Sequence, residues 1–205
     1  QNIIKHYESC LAKHGDSHLG VDWPNENDAL LRYKVMLEVV RYANRDAKPY
    51  TLLDFGCGTS GLLDYMKTLG LQDYSYSGLD VSEAFVSVSQ KKYPEYSYYN
   101  IDILEEPESL PNHDFIICNG VLTEKQDLSF EGMWQYSQEL IEAVFNKASV
   151  GIAFNVMSKA VDWERDDLFH LSTDLLIDFL TQNLSRHFVI RNDYGLYEYT
   201  VYLYK

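Results

Sequence analysis

Short runs of consecutive apolar residues alternate along this chain with longer stretches in which apolar positions recur every three or four residues, the two periods of strands and helices. Near-continuous runs predict strands at residues 50–54, 74–80, 96–101, 114–119 and 149–156, the last apolar enough to be buried on both faces. Helical spacing predicts an amphipathic helix over 2–13, with Ile3, Ile4, Tyr7, Cys10 and Leu11 on one side. A second covers 28–44 through Leu30, Leu31, Val35, Leu37, Val39 and Val40. Further helices are expected over 132–147 and over 173–184, the latter with Ser172 as N-cap. Two last strands, 187–192 and 196–204, form a hairpin around Asp193-Tyr-Gly195. Strands alternating with helices and closed by a hairpin make this an α/β chain.

Length and composition add one compact domain to that picture. The 205 residues, 46% of them hydrophobic, suit a single domain over 1–205 with a sizeable core, and no repeat or low-complexity segment interrupts it. Acids outnumber bases 31 to 17 for a net charge of −14, with no basic run, which argues against nucleic acid as a partner. Cys10, Cys57 and Cys118 are odd in number and widely spaced, so neither a disulfide framework nor a metal site is expected, and a reducing, cytoplasmic setting is. No apolar stretch approaches the length of a membrane span, and no membrane partner is expected. Nothing in the sequence sets the oligomeric state.

The most informative chemistry follows the first strand, where Asp54 leads into a turn carrying Gly56, Gly58 and Gly61. Glycines between a strand and a helix let a ligand approach bare backbone, and their G-x-G-x-x-G spacing also satisfies dinucleotide-binding proteins. Asp54 begins to separate the cofactors. A pyrophosphate at a helix N-terminus loses from a nearby carboxylate, whereas S-adenosylmethionine has no phosphate and carries a sulfonium and an ammonium. The next strands also end in polar groups: Asp80 suits the hydroxyls of a ribose, a feature both cofactors would use, with Val81 and Ser82 opening a helix. Asp102 suits an adenine amine, with Ile103 and Leu104 to flank the ring, and Asn119-Gly120 lies beside the same crevice.

In the order and spacing of Leu53-Asp-Phe-Gly-Cys-Gly-Thr-Ser-Gly61, Gly78-Leu-Asp80, Asn100-Ile-Asp102 and Asp114-Phe-Ile-Ile-Cys-Asn-Gly120, residues 50–155 resemble the class I S-adenosylmethionine-dependent methyltransferases. The resemblance implies a Rossmann-like seven-stranded sheet, mostly parallel with an antiparallel C-terminal hairpin and helices on both faces. It also implies S-adenosylmethionine as cofactor and S-adenosylhomocysteine as product. The first motif, with Cys57 at its backbone, would then meet the methionine portion, Asp80 the ribose and Asp102 the adenine. Family members of this size often close the cofactor site with an N-terminal element, here residues 1–46. Within it, the loop between the two helices, with its glycines, histidines and Trp23, reads as a lid. Tyr7, Trp23 and Arg32 are its candidate cofactor contacts, Arg32 as a bidentate partner for the cofactor carboxylate.

The methyl donor is already activated, so the protein mainly aligns two reactants, and a base is needed only where the acceptor holds a proton. His170, in the polar segment 161–170, is the first candidate base, with His14 or His18 from the lid next. The hairpin turn offers Tyr194 and Glu198. Gly20-Val-Asp-Trp-Pro, Val161-Asp-Trp and Asp193-Tyr-Gly-Leu-Tyr-Glu-Tyr-Thr200 are similar to a narrower set of small bacterial methyltransferases acting on sugars or surface-polysaccharide precursors. That favours O-methylation of a small polar acceptor. The competing expectation is a cofactor-binding module without catalysis, acting as a regulatory or scaffolding partner.

Overall fold

Each strand of this protein sends alternate side chains to opposite faces of one sheet, and helices cover both. A computed structural model describes residues 2–43 and 48–205. The helix α1 (Asn2–His14) and a loop lead to α2 (Glu26–Leu37), whose N-cap Asn25 accepts from the amides of Asn27 and Asp28. Then follow β1 (Tyr50–Phe55), α3 (Gly61–Thr68), β2 (Tyr74–Leu79), α4 (Glu83–Lys92), β3 (Ser97–Tyr99) and β4 (His113–Cys118). The chain ends through α5 (Phe130–Lys147), β5 (Ala148–Met157), α6 (Thr173–Asn183), β6 (Phe188–Arg191) and β7 (Glu198–Tyr204). The caps of α5 and α6 are hydroxyls: Ser129 accepts from the Gly132 amide, and Ser172 from the Leu175 amide.

The seven strands lie in the order β3-β2-β1-β4-β5-β7-β6, parallel up to β5 and antiparallel at β5–β7 and β7–β6. Chain order runs outward from β1 to β3, returns to β4 and then runs the other way. The switch point therefore lies between β1 and β4, and a crevice opens at their carboxyl ends. In β4, Ile116 and Cys118 join the core beneath α5 and α6 with Leu140, Val144 and Leu180, while Phe115 and Ile117 join Met36, Leu62 and Met66 on the opposite face. That alternation explains why the run 115–118 is apolar on both faces.

Sequence periodicity alone extends α2 too far. The α-helix stops at Leu37 and tightens to a 3-10 turn at Glu38–Tyr42, and Asn44 lies outside the described residues. Long-range partners compete for its last groups: the Tyr202 hydroxyl donates to the Val35 carbonyl, Tyr204 donates to the Val39 carbonyl at 2.6 Å, and Arg191 holds Glu38 at 2.7 Å. Carbonyls captured by the sheet end the i to i−4 ladder earlier than propensity would. β3 is likewise shorter than its apolar run: the Tyr96 amide turns back to the Tyr93 carbonyl at 3.2 Å, and only Ser97–Tyr99 pair with β2. Of the N-terminal segment proposed as a lid, the described part comprises α1, the loop and α2. Among the described residues no helix is long and apolar enough to cross a membrane.

Candidate active site

At the switch point the glycine turn separates two cavities of about 440 and 450 Å³. Val21, Trp23, Gly56, Gly58 and Asn119 border both, so the loop between α1 and α2 forms a shared wall. The turn has the shape it does because side chains are excluded. Gly56 and Gly58 hold φ of +76° and +52°, and an added Cβ would stand 2.8 Å from Val121 Cγ2 and 2.9 Å from Val21 Cγ1 respectively. Bare backbone thus faces the crevice at both positions.

Asp80, just after β2, braces this turn. One of its oxygens accepts the Gly58 amide at 3.0 Å and the other the Ser82 amide at 2.9 Å, while burial raises its pKa against these bonds. Asp54 sits deeper, 4% exposed, and accepts from the Tyr76 hydroxyl at 2.8 Å. Burial pushes its pKa up to about 7, the Tyr76 bond opposes the shift, and the charge of Asp80 adds to it. Asp102 is exposed at the rim and takes the Leu104 amide at 3.0 Å, which presents the buried Ile103 to the cavity.

The 440 Å³ cavity collects Tyr7, Trp23, Gly56, Gly58, Asp80, Val81, Asp102, Ile103, Asn119 and Gly120 of the sequence candidates. Asp54 and Cys57 line the second cavity. The Cys57 thiol is buried and pushed up by that burial, with the Gly58 carbonyl at 3.8 Å and the Ser89 hydroxyl as hydrogen-bond partners. The N-terminal segment is held to α4 by the Ser82 hydroxyl, which donates to Glu8 at 2.7 Å, and by Lys92, which pairs with Asp16 at 2.8 Å, while His6 and Asp22 pair within the segment at 2.8 Å.

Three candidates are not brought to the cavities. Arg32 borders neither; its Nε and Nη2 both reach Glu198 Oε2 at 2.8 Å, so its fork is already occupied within the protein. His170 is 5% exposed with both ring nitrogens engaged. Nδ1–H donates to the Ser158 carbonyl at 2.6 Å, and Nε2 accepts the Arg165 amide at 3.2 Å. It staples the 158–170 segment rather than facing a ligand. His14 ends α1 exposed to solvent and borders neither cavity, whereas His18 lines the second with Nδ1 2.5 Å from the Trp23 carbonyl. The 161–170 segment reaches the rim only through its backbone, by a bridge between Glu124 and Leu168 and by the Lys125 and Gln126 amides on the Asp167 carbonyl, while Trp163 is 73% exposed.

Sequence reasoning missed Glu124 and Asn155. Glu124 lines the 440 Å³ cavity and accepts from Gln126 Nε2 at 2.7 Å, and together with burial its charge raises the pKa of Tyr7. The polar segment that carries it shows no motif in the sequence. Asn155 is 1% exposed inside an otherwise apolar strand, and that interruption was the available signal.

These residues fit S-adenosylmethionine. The described lining of the 440 Å³ cavity contains Asp80, Asp102 and Glu124 and no lysine, arginine or histidine, a setting that favours a cation over a pyrophosphate. The backbone cradle at Gly56 and Gly58 would be filled by any Cβ, and the buried Asn119 Nδ2 has no partner among the described residues.

Comparison with known proteins agrees. A family described as a methyltransferase domain matches residues 53–140. The Mycobacterium tuberculosis protein Rv1506c, to which methyltransferase activity is ascribed, is similar at 28% identity over 158 residues, covering 76% of this chain and 93% of its own. Among solved structures, magnesium protoporphyrin IX methyltransferase (ChlM) of Synechocystis PCC 6803 with bound SAM superimposes with a TM-score of 0.63 at 16% identity, over 100% of this chain and 96% of that one. The plantazolicin methyltransferase BpumL, with a triazolic substrate analogue and SAH, gives 0.65 at 16% identity, over 100% and 99%. At these identities the solved structures speak for the fold.

Proposed function

We propose that this chain, whose residues 53–140 match a methyltransferase domain, is a class I S-adenosylmethionine-dependent methyltransferase that methylates a hydroxyl of a small polar acceptor, with Glu124 as the group that takes up the hydroxyl proton. In this reading Asp80 holds the cofactor ribose, Asp102 and Ile103 the adenine, and Asp54 with the glycine turn the ammonium end. Tyr7, Val81, Trp23 and Gly120 line its path. S-adenosylmethionine supplies an activated methyl group there, with S-adenosylhomocysteine as the product.

The observation that carries the acceptor side is the place of Glu124. In the cavity that holds Asp80 and Asp102, it is the remaining carboxylate of the described lining. The Gln126 amide holds one of its oxygens at 2.7 Å, and the Tyr7 hydroxyl is a second hydrogen-bond partner of the same carboxylate, so Glu124 is fixed at the cavity wall. A carboxylate with no cation in the lining suits a neutral, hydroxylated molecule such as a sugar and disfavours a phosphorylated one. His170 and His14 cannot take the proton from where they stand.

The test compares variants on a panel of sugars and polyols, with S-adenosylhomocysteine formation as readout. Glu124→Gln is expected to keep S-adenosylhomocysteine affinity within about twofold and to lose about 100-fold or more in turnover, the usual contribution of a general base. His170→Ala is expected to lower the melting temperature, because the buried Ser158 carbonyl and the Arg165 amide lose their partner, and to retain turnover in the folded fraction. Normal turnover in Glu124→Gln together with its loss in His170→Ala would reverse the assignment.

A further inference from the structure

Behind the cavities runs a closed circuit of contacts that joins the lid to the end of β4. Glu198, at the start of β7, is 2% exposed: Oε2 receives Arg32, and Oε1 receives Asn155 Nδ2 at 3.0 Å. The Tyr194 hydroxyl reaches Oε1 at 3.4 Å and binds Thr200 at 2.8 Å. On its other side Asn155 accepts the Gly120 amide with Oδ1 at 2.7 Å and approaches Asn119 Oδ1 with Nδ2 at 3.4 Å. The Arg32 guanidinium lies over the Trp23 ring, 5.4 Å from its centroid, and that ring in turn covers Gly120, 3.5 Å from where a Cβ would stand.

We propose that Glu198 is a positioning residue of the methyl-transfer site: it fixes the direction of the two asparagine amides and, through Arg32, the seat of Trp23. The proposal rests on the reading that the cavity takes S-adenosylmethionine. A carboxylate has acceptors only, so the Asn155 side facing it must be NH2. Asn155 Oδ1 is therefore turned to the Gly120 amide, and its second N–H to Asn119 Oδ1. That leaves Asn119 Nδ2 as a buried donor without a partner among the described residues, on a residue of the wall shared by the two cavities. One buried charge thus sets the polarity presented two residues away, and the same charge holds the arginine that braces the lid tryptophan. Arg32, expected to grip the cofactor, acts on it through Trp23 instead.

Glu198→Gln breaks this logic while keeping the shape. Whichever way the new amide points, its NH2 meets a donor, either Asn155 Nδ2 or the Arg32 fork, so one of the two bonds is lost. The experiment uses the full chain with Trp134→Phe and Trp163→Phe, so that fluorescence reports Trp23. It measures acrylamide quenching without ligand and S-adenosylhomocysteine affinity by calorimetry. Glu198→Gln is expected to raise the quenching constant about twofold and weaken binding about tenfold. Arg32→Lys keeps the charge on Glu198 but lacks the flat face, and it is expected to raise quenching with a smaller loss of affinity.

Wild-type quenching and affinity in Glu198→Gln would overturn the proposal. Should that variant not fold, unchanged quenching in Arg32→Lys would overturn it equally. Failure of the wild-type chain to bind S-adenosylhomocysteine would instead remove the cofactor reading, and the ligand-free quenching would still decide whether the circuit seats Trp23.

Discussion

Asp80→Ala will bind S-adenosylhomocysteine about a hundredfold or more weakly than the wild-type protein, and Asp80→Asn will be nearly as poor. The first loss follows from removing a carboxylate proposed to accept from the ribose, since bonds to a charged acceptor are the stronger kind. The second follows from what Asp80 does without ligand. Both of its oxygens already accept backbone amides, from Gly58 and from Ser82, so an asparagine must turn its NH2 toward one of two N–H groups. The glycine turn then loses a brace at the point where backbone is bare. A cofactor affinity for Asp80→Asn within threefold of wild type, measured by calorimetry, would separate Asp80 from the turn and leave only its rim position.

The parts of this protein that were legible in the sequence are those fixed by neighbours in the chain. A strand ending in Asp54, glycines at positions with positive φ and acids ending the next strands are local signals, and the sheet order places them on one crevice because strands end there. The parts that were not legible depend on distant partners. Arg32 meets Glu198 across 166 positions, and nothing near either residue announces the pairing. His170 was read as a base because polar neighbours surround it in sequence. In three dimensions the chain folds it inward onto two backbone groups, since a buried imidazole is tolerated only when both nitrogens are satisfied. The early end of α2 has the same origin, with tyrosines of β7 taking carbonyls that periodicity assigns to the helix. Asn155 lies between these cases: a polar residue in an apolar strand marks a buried network, though not which groups it joins.

Asp54→Asn should move stability and binding in opposite directions. In the folded protein the Asp54 carboxyl has a pKa of about 7, raised from 3.8 chiefly by burial. A group whose folded pKa is raised favours the folded state fully below its unfolded pKa and loses that advantage as pH climbs to the folded value. Between about pH 4 and pH 7, therefore, the wild-type protein gives up stability to keep or ionise this carboxyl, and at pH 8 it holds a buried charge without a cation. At about 1.36 kcal/mol per pKa unit the cost reaches at most about 4 kcal/mol. Asparagine removes the charge and still accepts from Tyr76 with its oxygen, so the variant should melt several degrees higher than wild type at pH 8 and about equally at pH 4. Cofactor affinity should go the other way, at least about tenfold weaker, because an ammonium loses its ionic partner. Wild-type affinity for S-adenosylhomocysteine should also fall as pH drops below about 7, approaching tenfold per unit, with proton release detectable in buffers of different ionisation enthalpy. The variant should show neither the slope nor the release. A lower melting temperature at pH 8 combined with an unchanged pH profile would mean that Asp54 is a structural acceptor for Tyr76 and that the cofactor's positive end is held elsewhere.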